Sequence, residues 1–171
     1  MRSAVPLCYA HWEGFIKNSS HFYGVYVSNV TTYFSELKPC FFGEESLGVV
    51  AELGTITKRV ATASLLVDEI FQIPKRRSRV NLRSRFENVG NLNFDLFLQC
   101  IDFLGIDSAK YLTRKNFIDE VLLSKRNSIA HGSFDAIDKE AGLAICDEVI
   151  GLIRQFKSDI EDAVTMKSYL A

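Results

Sequence analysis

The chain lacks most of the signatures that assign an activity at a glance. Its four cysteines, Cys8, Cys40, Cys100 and Cys146, are scattered over 171 residues, with no Cys-x-x-Cys and no histidine pair at zinc-finger spacing. That argues against a metal site and against a disulfide framework, and leaves the cysteines expected as reduced, buried side chains. No run of eighteen apolar residues is present to span a bilayer, and the stretch from Met1 to Pro6 has no apolar signal-peptide core. The reading is a cytoplasmic protein with no membrane partner. There is no Gly-x-Ser-x-Gly, no glycine loop that would cradle a phosphate, and no histidine placed beside a lone reactive cysteine, so hydrolysis by a Ser or Cys nucleophile is unsupported. Charge of one sign is lacking too: 20 Lys and Arg face 21 Asp and Glu, a formal net charge of -1. Any attraction for nucleic acid must come from a local patch. No metal or cofactor is expected.

What is present is apolar and aromatic. Hydrophobic residues make up 47% of the chain and aromatics 12%, well above a disordered composition. The length suits one domain, residues 1–171, with a single core. From Val5 the apolar residues Cys8, Trp12, Phe15, Ile16, Phe22, Tyr23, Tyr26, Val27 and Val30 recur at three and four, which predicts a long first helix ending near Thr32. Pro6 fits its first turn, and the opposite face is expected to carry Glu13, Lys17 and Ser20, with Glu13 and Lys17 in the favourable i, i+4 order. Pro39 and Gly43 mark a break, and Leu47 to Phe71 reads as a second helix with Val50, Leu53, Ile56, Val60, Ala63, Leu66 and Ile70 apolar.

Asn93 is placed to cap a third helix carrying Leu96, Phe97, Cys100, Ile101 and Leu104, stopped by Gly105. Thr113 is placed to cap a fourth, with Phe117, Ile118, Val121, Leu122 and Ile129 apolar and Gly132 closing it. Ile137 to Val164 draws a last apolar stripe. No segment alternates in the manner of a strand. The class is therefore all-α, an up-and-down bundle of about five helices.

Between the second and third helices Lys75, Arg76, Arg77 and Arg79, with Arg83 and Arg85, put six cations into a short stretch without an apolar stripe. It reads either as a solvated loop or as a surface that follows a phosphate backbone.

The sharpest feature is Arg126-Asn127-Ser128-Ile129-Ala130-His131-Gly132. Arg-x4-His is a weak motif alone, since ten Arg and three His give about 0.2 such pairs by chance. Context strengthens it. Ile118, Leu122 and Arg126 follow one another at i, i+4, so Arg126 stands where the apolar stripe would continue. A partly buried guanidinium needs a partner, and a phosphate suits its planar fork. His131 lies about 140° round an ideal helix from Arg126, so one helix does not turn both to one point. A plainer alternative pairs Arg126 with an acid such as Glu13 or Glu120 and lets His131 cap the carbonyls of its own helix end. His11 and His21 sit ten apart with no other ligand type at metal spacing, and read as solvated or capping residues.

The Arg126 to Gly132 segment resembles the signature of the HEPN superfamily, in which an Arg, a polar residue, a few more residues and a His follow an apolar helix. The opening Tyr9-Ala10-His11-Trp12-Glu13-Gly14-Phe15-Ile16-Lys17 resembles the first helix of a bacterial HEPN subfamily associated with toxin and defence loci. The resemblance implies a dimerising all-α bundle and metal-independent endoribonuclease activity of the toxin or antiviral kind, with two motifs meeting across a homodimer. It implies that His131 moves protons at a ribose 2′-OH or a leaving 5′-oxygen, that Arg126 holds the phosphate, and that Asn127 orients a phosphate or the histidine of the partner copy across the dimer. The products would be a 2′,3′-cyclic phosphate and a 5′-OH. Glu13 and Lys17 then orient Arg126 or contact RNA, and Lys75, Arg76, Arg77 and Arg79 become its tracking surface.

Partners implied are RNA, a second copy, and an antitoxin or sensor protein. Some HEPN toxins carry a Tyr two residues after the His as an acceptor of AMP. Ser133 stands there in this chain, which puts control by that route in doubt. The alternative from another class is a non-catalytic HEPN-type module that uses Arg126 and His131 to bind a nucleotide or a partner protein.

Overall fold

The computed structural model describes residues 3–55, 60–80, 91–132 and 137–171; Ile56, Arg83, Arg85 and Ser133, singled out above, lie outside them. Among the described residues every regular element is helical, as expected, and the only β-type pairings are two isolated bridges, Tyr33 with Arg77 and Leu37 with Leu170.

The first helix, α1 (Ala4–Val30), buries Val5, Tyr9, Trp12, Ile16, Ser20, Tyr23, Gly24 and Val27. Most of these steps are three or four residues, the period that keeps one face of a helix turned inward. Phe22 and Val30, expected on that face, are instead 68% and 48% exposed. Phe22 is one residue, or about 100°, off the buried Tyr23. The last helix, α6 (Lys139–Thr165), is capped by Asp138, whose carboxylate accepts from the Ala141 N–H at 2.7 Å. It turns Ile145, Val149, Leu152, Phe156 and Ala163 inward.

Side chains pair in step along these two long helices. Cys8 meets Cys146, Phe15 meets Phe156, and Tyr26 meets Tyr169 just past the end of α6, so α1 and α6 run parallel. An odd number of reversals between first and last helix would have made them antiparallel.

The region read as one helix from Leu47 to Phe71 contains two, α2 (Gly43–Thr55) and α3 (Val60–Gln72), which pack on each other. Val49 and Leu66 face inward here, whereas Val50 and Val60, expected on the apolar face, are exposed. Three short 3₁₀ turns, Phe34–Glu36, Pro39–Phe42 and Ile73–Lys75, join these helices to their neighbours.

α4 (Phe94–Phe103) begins as read: the Asn93 side chain accepts from the Leu96 N–H at 2.9 Å. It ends at Gly105, whose φ of +67° suits glycine, and where an added Cβ would come within 3.1 Å of Cys40 Sγ. Thr113, by contrast, caps nothing. It lies within a 3₁₀ turn, Ser108–Arg114, entered through Asp107, which accepts from the Ala109 N–H at 3.0 Å. The helix then widens into a π-helical segment, Phe117–Leu123, before tightening to α5 (Ser124–Ala130). Ile118 and Leu122 are fully buried on the π-helical segment, and Asp119 anchors it by accepting from the Phe94 N–H at 2.8 Å.

The core centres on aromatics. Trp12 packs on Tyr9 at 5.8 Å and Phe97 at 5.6 Å, and Phe97 packs on Tyr111 at 5.2 Å and Phe156 at 6.1 Å between centroids. Such tilted and edge-on pairs add about 0.5–1.5 kcal/mol each beyond simple burial. One buried carboxylate joins this core. Asp159 accepts from the Tyr111 hydroxyl at 2.5 Å and from Lys110 Nζ at 2.6 Å, which pins the 3₁₀ turn to α6.

Of the cysteines only Cys100 is fully buried; Cys8, Cys40 and Cys146 are half-buried, and none of the four is joined in a disulfide. No helix among the described residues is long and apolar enough to cross a membrane.

Candidate functional site

Arg126 sits in the middle of α5, directly after the π-helical segment. Isolated π-turns recur at functional sites because the extra residue re-aims the side chains that follow. Here the guanidinium is brought against α1, where its Cζ lies over the Tyr9 ring, 5.3 Å from the centroid. Arg126 Nη1 donates to Asn127 Oδ1 at 2.9 Å, and the same oxygen accepts from Asn91 Nδ2 at 3.3 Å. Three elements thus meet at one cation: α1 supplies the ring, α5 the cation and its acceptor, and the entry to α4 a second amide.

The plainer alternative for Arg126 fails on this geometry. Among the described residues no carboxylate lies within ion-pair distance of it. Glu13 is paired with Lys17 at 2.6 Å along α1, and Glu120 is exposed. The guanidinium is therefore half-buried, oriented by an aromatic face and a neutral oxygen, and keeps its charge for an outside anion.

Tyr9 is fully buried, and its hydroxyl donates to the Leu92 carbonyl at 3.2 Å. Burial pushes its phenol well above the usual tyrosine range; the carboxylate of Glu13 adds to the rise, and Arg126 opposes it. Tyr9 is thus a neutral ring that serves as a platform rather than as a base.

His131 closes α5. Its backbone N–H donates to the Asn127 carbonyl at 2.9 Å, and the chain then turns through Gly132 at φ +83°. Its side chain is exposed. Gly132 is the left-handed residue that the sequence led one to expect after the helix. Arg126 and Asn127 are thus held together in the protein, whereas His131 is exposed at the helix end.

The other residues singled out by sequence fall elsewhere. Glu13 and Lys17 lie on α1, one and two turns beyond the Tyr9 platform. Lys75, Arg76, Arg77 and Arg79 are exposed, but at the far end of α1, where Ser78 Oγ donates to the Thr31 carbonyl at 3.0 Å. From Tyr9 to Thr31 is about 33 Å of helix rise. Lys75 donates to Gln72 at 3.2 Å, and Arg76 is shared between Glu69 at 2.9 Å and Glu45 at 3.4 Å. Among the described residues no carboxylate forms an ion pair with Arg77 or Arg79.

His11 is exposed, while His21 has a buried, unpartnered Nδ1. Among the described residues no group of three or more His, Cys, Asp or Glu side chains is placed to hold a metal. Sequence reasoning missed Tyr9 and Asn91 as companions of Arg126. The only local signal for Tyr9 is its place one turn before Glu13, and Asn91 offered none.

The family model for HEPN_MAE_28990-like HEPN matches residues 1–169, nearly the whole chain. No curated protein and no solved structure matches it.

Proposed function

The chain belongs to the HEPN_MAE_28990-like HEPN family, and from that premise we propose that it is a metal-independent endoribonuclease of toxin or antiviral-defence type, working as a homodimer. HEPN domains as a group are tied to RNase-type or nucleotide-related functions. The observation that carries the finer reading is the state of Arg126: a half-buried cation on an aromatic platform, with no carboxylate partner among the described residues, five residues before an exposed histidine.

Cleavage of RNA by its own 2′-OH needs a base, an acid and a cation, all of which this motif supplies. His131 takes the proton from the ribose 2′-OH, and the 2′-oxygen forms a bond to phosphorus as the bond to the 5′-oxygen breaks. A protonated imidazole, His131 of a second copy, gives its proton to the departing 5′-oxygen. Arg126 grips the non-bridging oxygens and offsets the charge that builds there. Asn127 acts through Arg126 as a positioning residue, and Tyr9 and Asn91 hold that pair. The 140° that separates Arg126 from His131 on one helix favours a two-fold arrangement, in which Arg126 of one copy works beside His131 of the other. Glu13 and Lys17 flank the platform as RNA contacts. The exposed Arg77 and Arg79 extend the backbone track at a distance, and an antitoxin or sensor protein governs the activity.

The test is cleavage of total RNA and tRNA in EDTA by the purified protein, its Arg126→Ala and its His131→Ala variants, with end-group analysis. Wild-type cleavage leaving 2′,3′-cyclic phosphate, lost in both variants with helicity intact, is the expected result. Equal cleavage by all three proteins would refute the assignment, and binding of RNA or nucleotide without cleavage would favour the non-catalytic module.

A further inference from the structure

The contact between Cys8 and Cys146 plays no part in the chemistry above. The two residues are 138 apart in sequence, on α1 and α6, and their Sγ atoms approach to 2.7 Å. A disulfide bond is about 2.05 Å long, so the sulfurs are already well inside the usual separation of unbonded heavy atoms. They are held there by the packing of α1 on α6, with Val5, Tyr9 and Trp12 on one side and Ile145 and Val149 on the other, all buried. Both cysteines are half-buried, which leaves them open to a small oxidant.

We propose that Cys8 and Cys146 form a redox-modification site, a reversible intrachain disulfide that staples α1 to α6, with peroxide or a small-molecule disulfide as oxidant. With hydrogen peroxide, the sulfur of Cys146 attacks one oxygen, the O–O bond breaks, and a sulfenic acid and one water result. The sulfur of Cys8 then displaces the sulfenic oxygen: the S–S bond forms, the S–O bond breaks, and a second water leaves. Two thiols and one peroxide thus give one disulfide and two waters, and a thiol reductant reverses the change. Burial, and then the neighbouring Cys146 sulfur, push the Cys8 thiol up to about 12, which makes it the poorer first nucleophile and leaves the attack on peroxide to Cys146. In a reducing compartment the pair rests as two thiols. Because Cys8 adjoins Tyr9, the staple anchors the turn of α1 that carries the Arg126 platform. The bond itself rests on no reading of activity.

The experiment treats the reduced full-length protein with hydrogen peroxide and, separately, with oxidised glutathione, then reads intact mass, a non-reducing peptide map and thermal melting. The expected result is loss of two hydrogens from the monomer, a cross-linked peptide containing Cys8 and Cys146, and a melting midpoint raised by about 5–15 °C and restored by dithiothreitol. Cys40→Ser should keep all three changes, and Cys8→Ser or Cys146→Ser should lose them. A peptide map showing separate adducts or over-oxidised cysteines without the Cys8 to Cys146 link would overturn the proposal. So would linkage between chains, or a midpoint shift that survives in a folded Cys8→Ser variant.

Discussion

Alkali should unfold this protein cooperatively, and the steepness of the fall can be worked from three side chains. Tyr9, Tyr23 and Tyr111 are at most 3% exposed. Burial raises the pKa of each well above the ordinary tyrosine range. Next in size are the Glu13 carboxylate for Tyr9, the Cys40 sulfur for Tyr23, and the hydrogen bond to the Asp159 carboxylate for Tyr111. In the unfolded chain the same phenols ionise near pH 10. Between that pH and the higher native values the native state binds three protons that the unfolded state has released. Stability from these groups is therefore fully present below about pH 10 and drains away above it, at about 1.4 kcal/mol per pH unit for each tyrosine. Three of them give about 4 kcal/mol per unit, a large part of the roughly 5–15 kcal/mol that a domain commonly holds. Cys8 and Cys40, whose thiols burial also raises, add to the same fall from about pH 8.5. Urea unfolding at half-unit steps from pH 8 to 11, followed by circular dichroism, measures the slope, and tyrosinate absorbance tells which phenols ionise. Tyr111→Phe isolates one of them: it should cut the slope above pH 10 by about 1.4 kcal/mol per unit. If all the tyrosines ionise near pH 10 while the helices persist, or if Tyr111→Phe leaves the slope unchanged, the reasoning is wrong.

The Asp159 cluster should be asymmetric. Asp159→Ala leaves the Tyr111 hydroxyl buried without its acceptor and should cost about 2–3 kcal/mol in urea unfolding at pH 7, whereas Lys110→Ala should cost under about 1 kcal/mol because that amine is half exposed. Equal losses would show that the ion pair, not the hydroxyl, carries the interaction. At the site, Tyr9→Leu removes the ring beneath Arg126 and should slow RNA cleavage roughly fivefold, about 1 kcal/mol. Tyr9→Phe keeps the ring and should cleave at close to the wild-type rate; cleavage falling equally in both would point to the hydroxyl instead.

How much of this was visible in the chain follows from how local each signal is. Asn93 could be read as a cap because the Leu96 N–H it accepts from is three residues away. Gly105 and Gly132 could be read as stops because the left-handed turn is written in the residue itself. The length of α1 was legible within two residues, but its exact inward face was not. Phe22 and Tyr23 are adjacent and equally aromatic, and only contact with Phe41 and the rest of the core decides between them. Thr113 misled because a hydroxyl before an apolar run is the ordinary helix start, and no local rule announces a 3₁₀ turn followed by a π-helical segment.

The candidate site divides along the same line. The cation and its acceptor are neighbours in sequence and were both named. The ring under the cation lies over a hundred residues upstream, and the two cysteine sulfurs are farther apart still, joined only when α1 meets α6. Arg126 itself shows how far local reasoning reaches. An arginine on an apolar line demanded a partner, and the demand was sound. Among the described residues, however, an aromatic face and an amide meet it rather than an acid, and on the proposed function that leaves the positive charge available to a phosphate. An acid in either place would have neutralised the arginine and served stability alone.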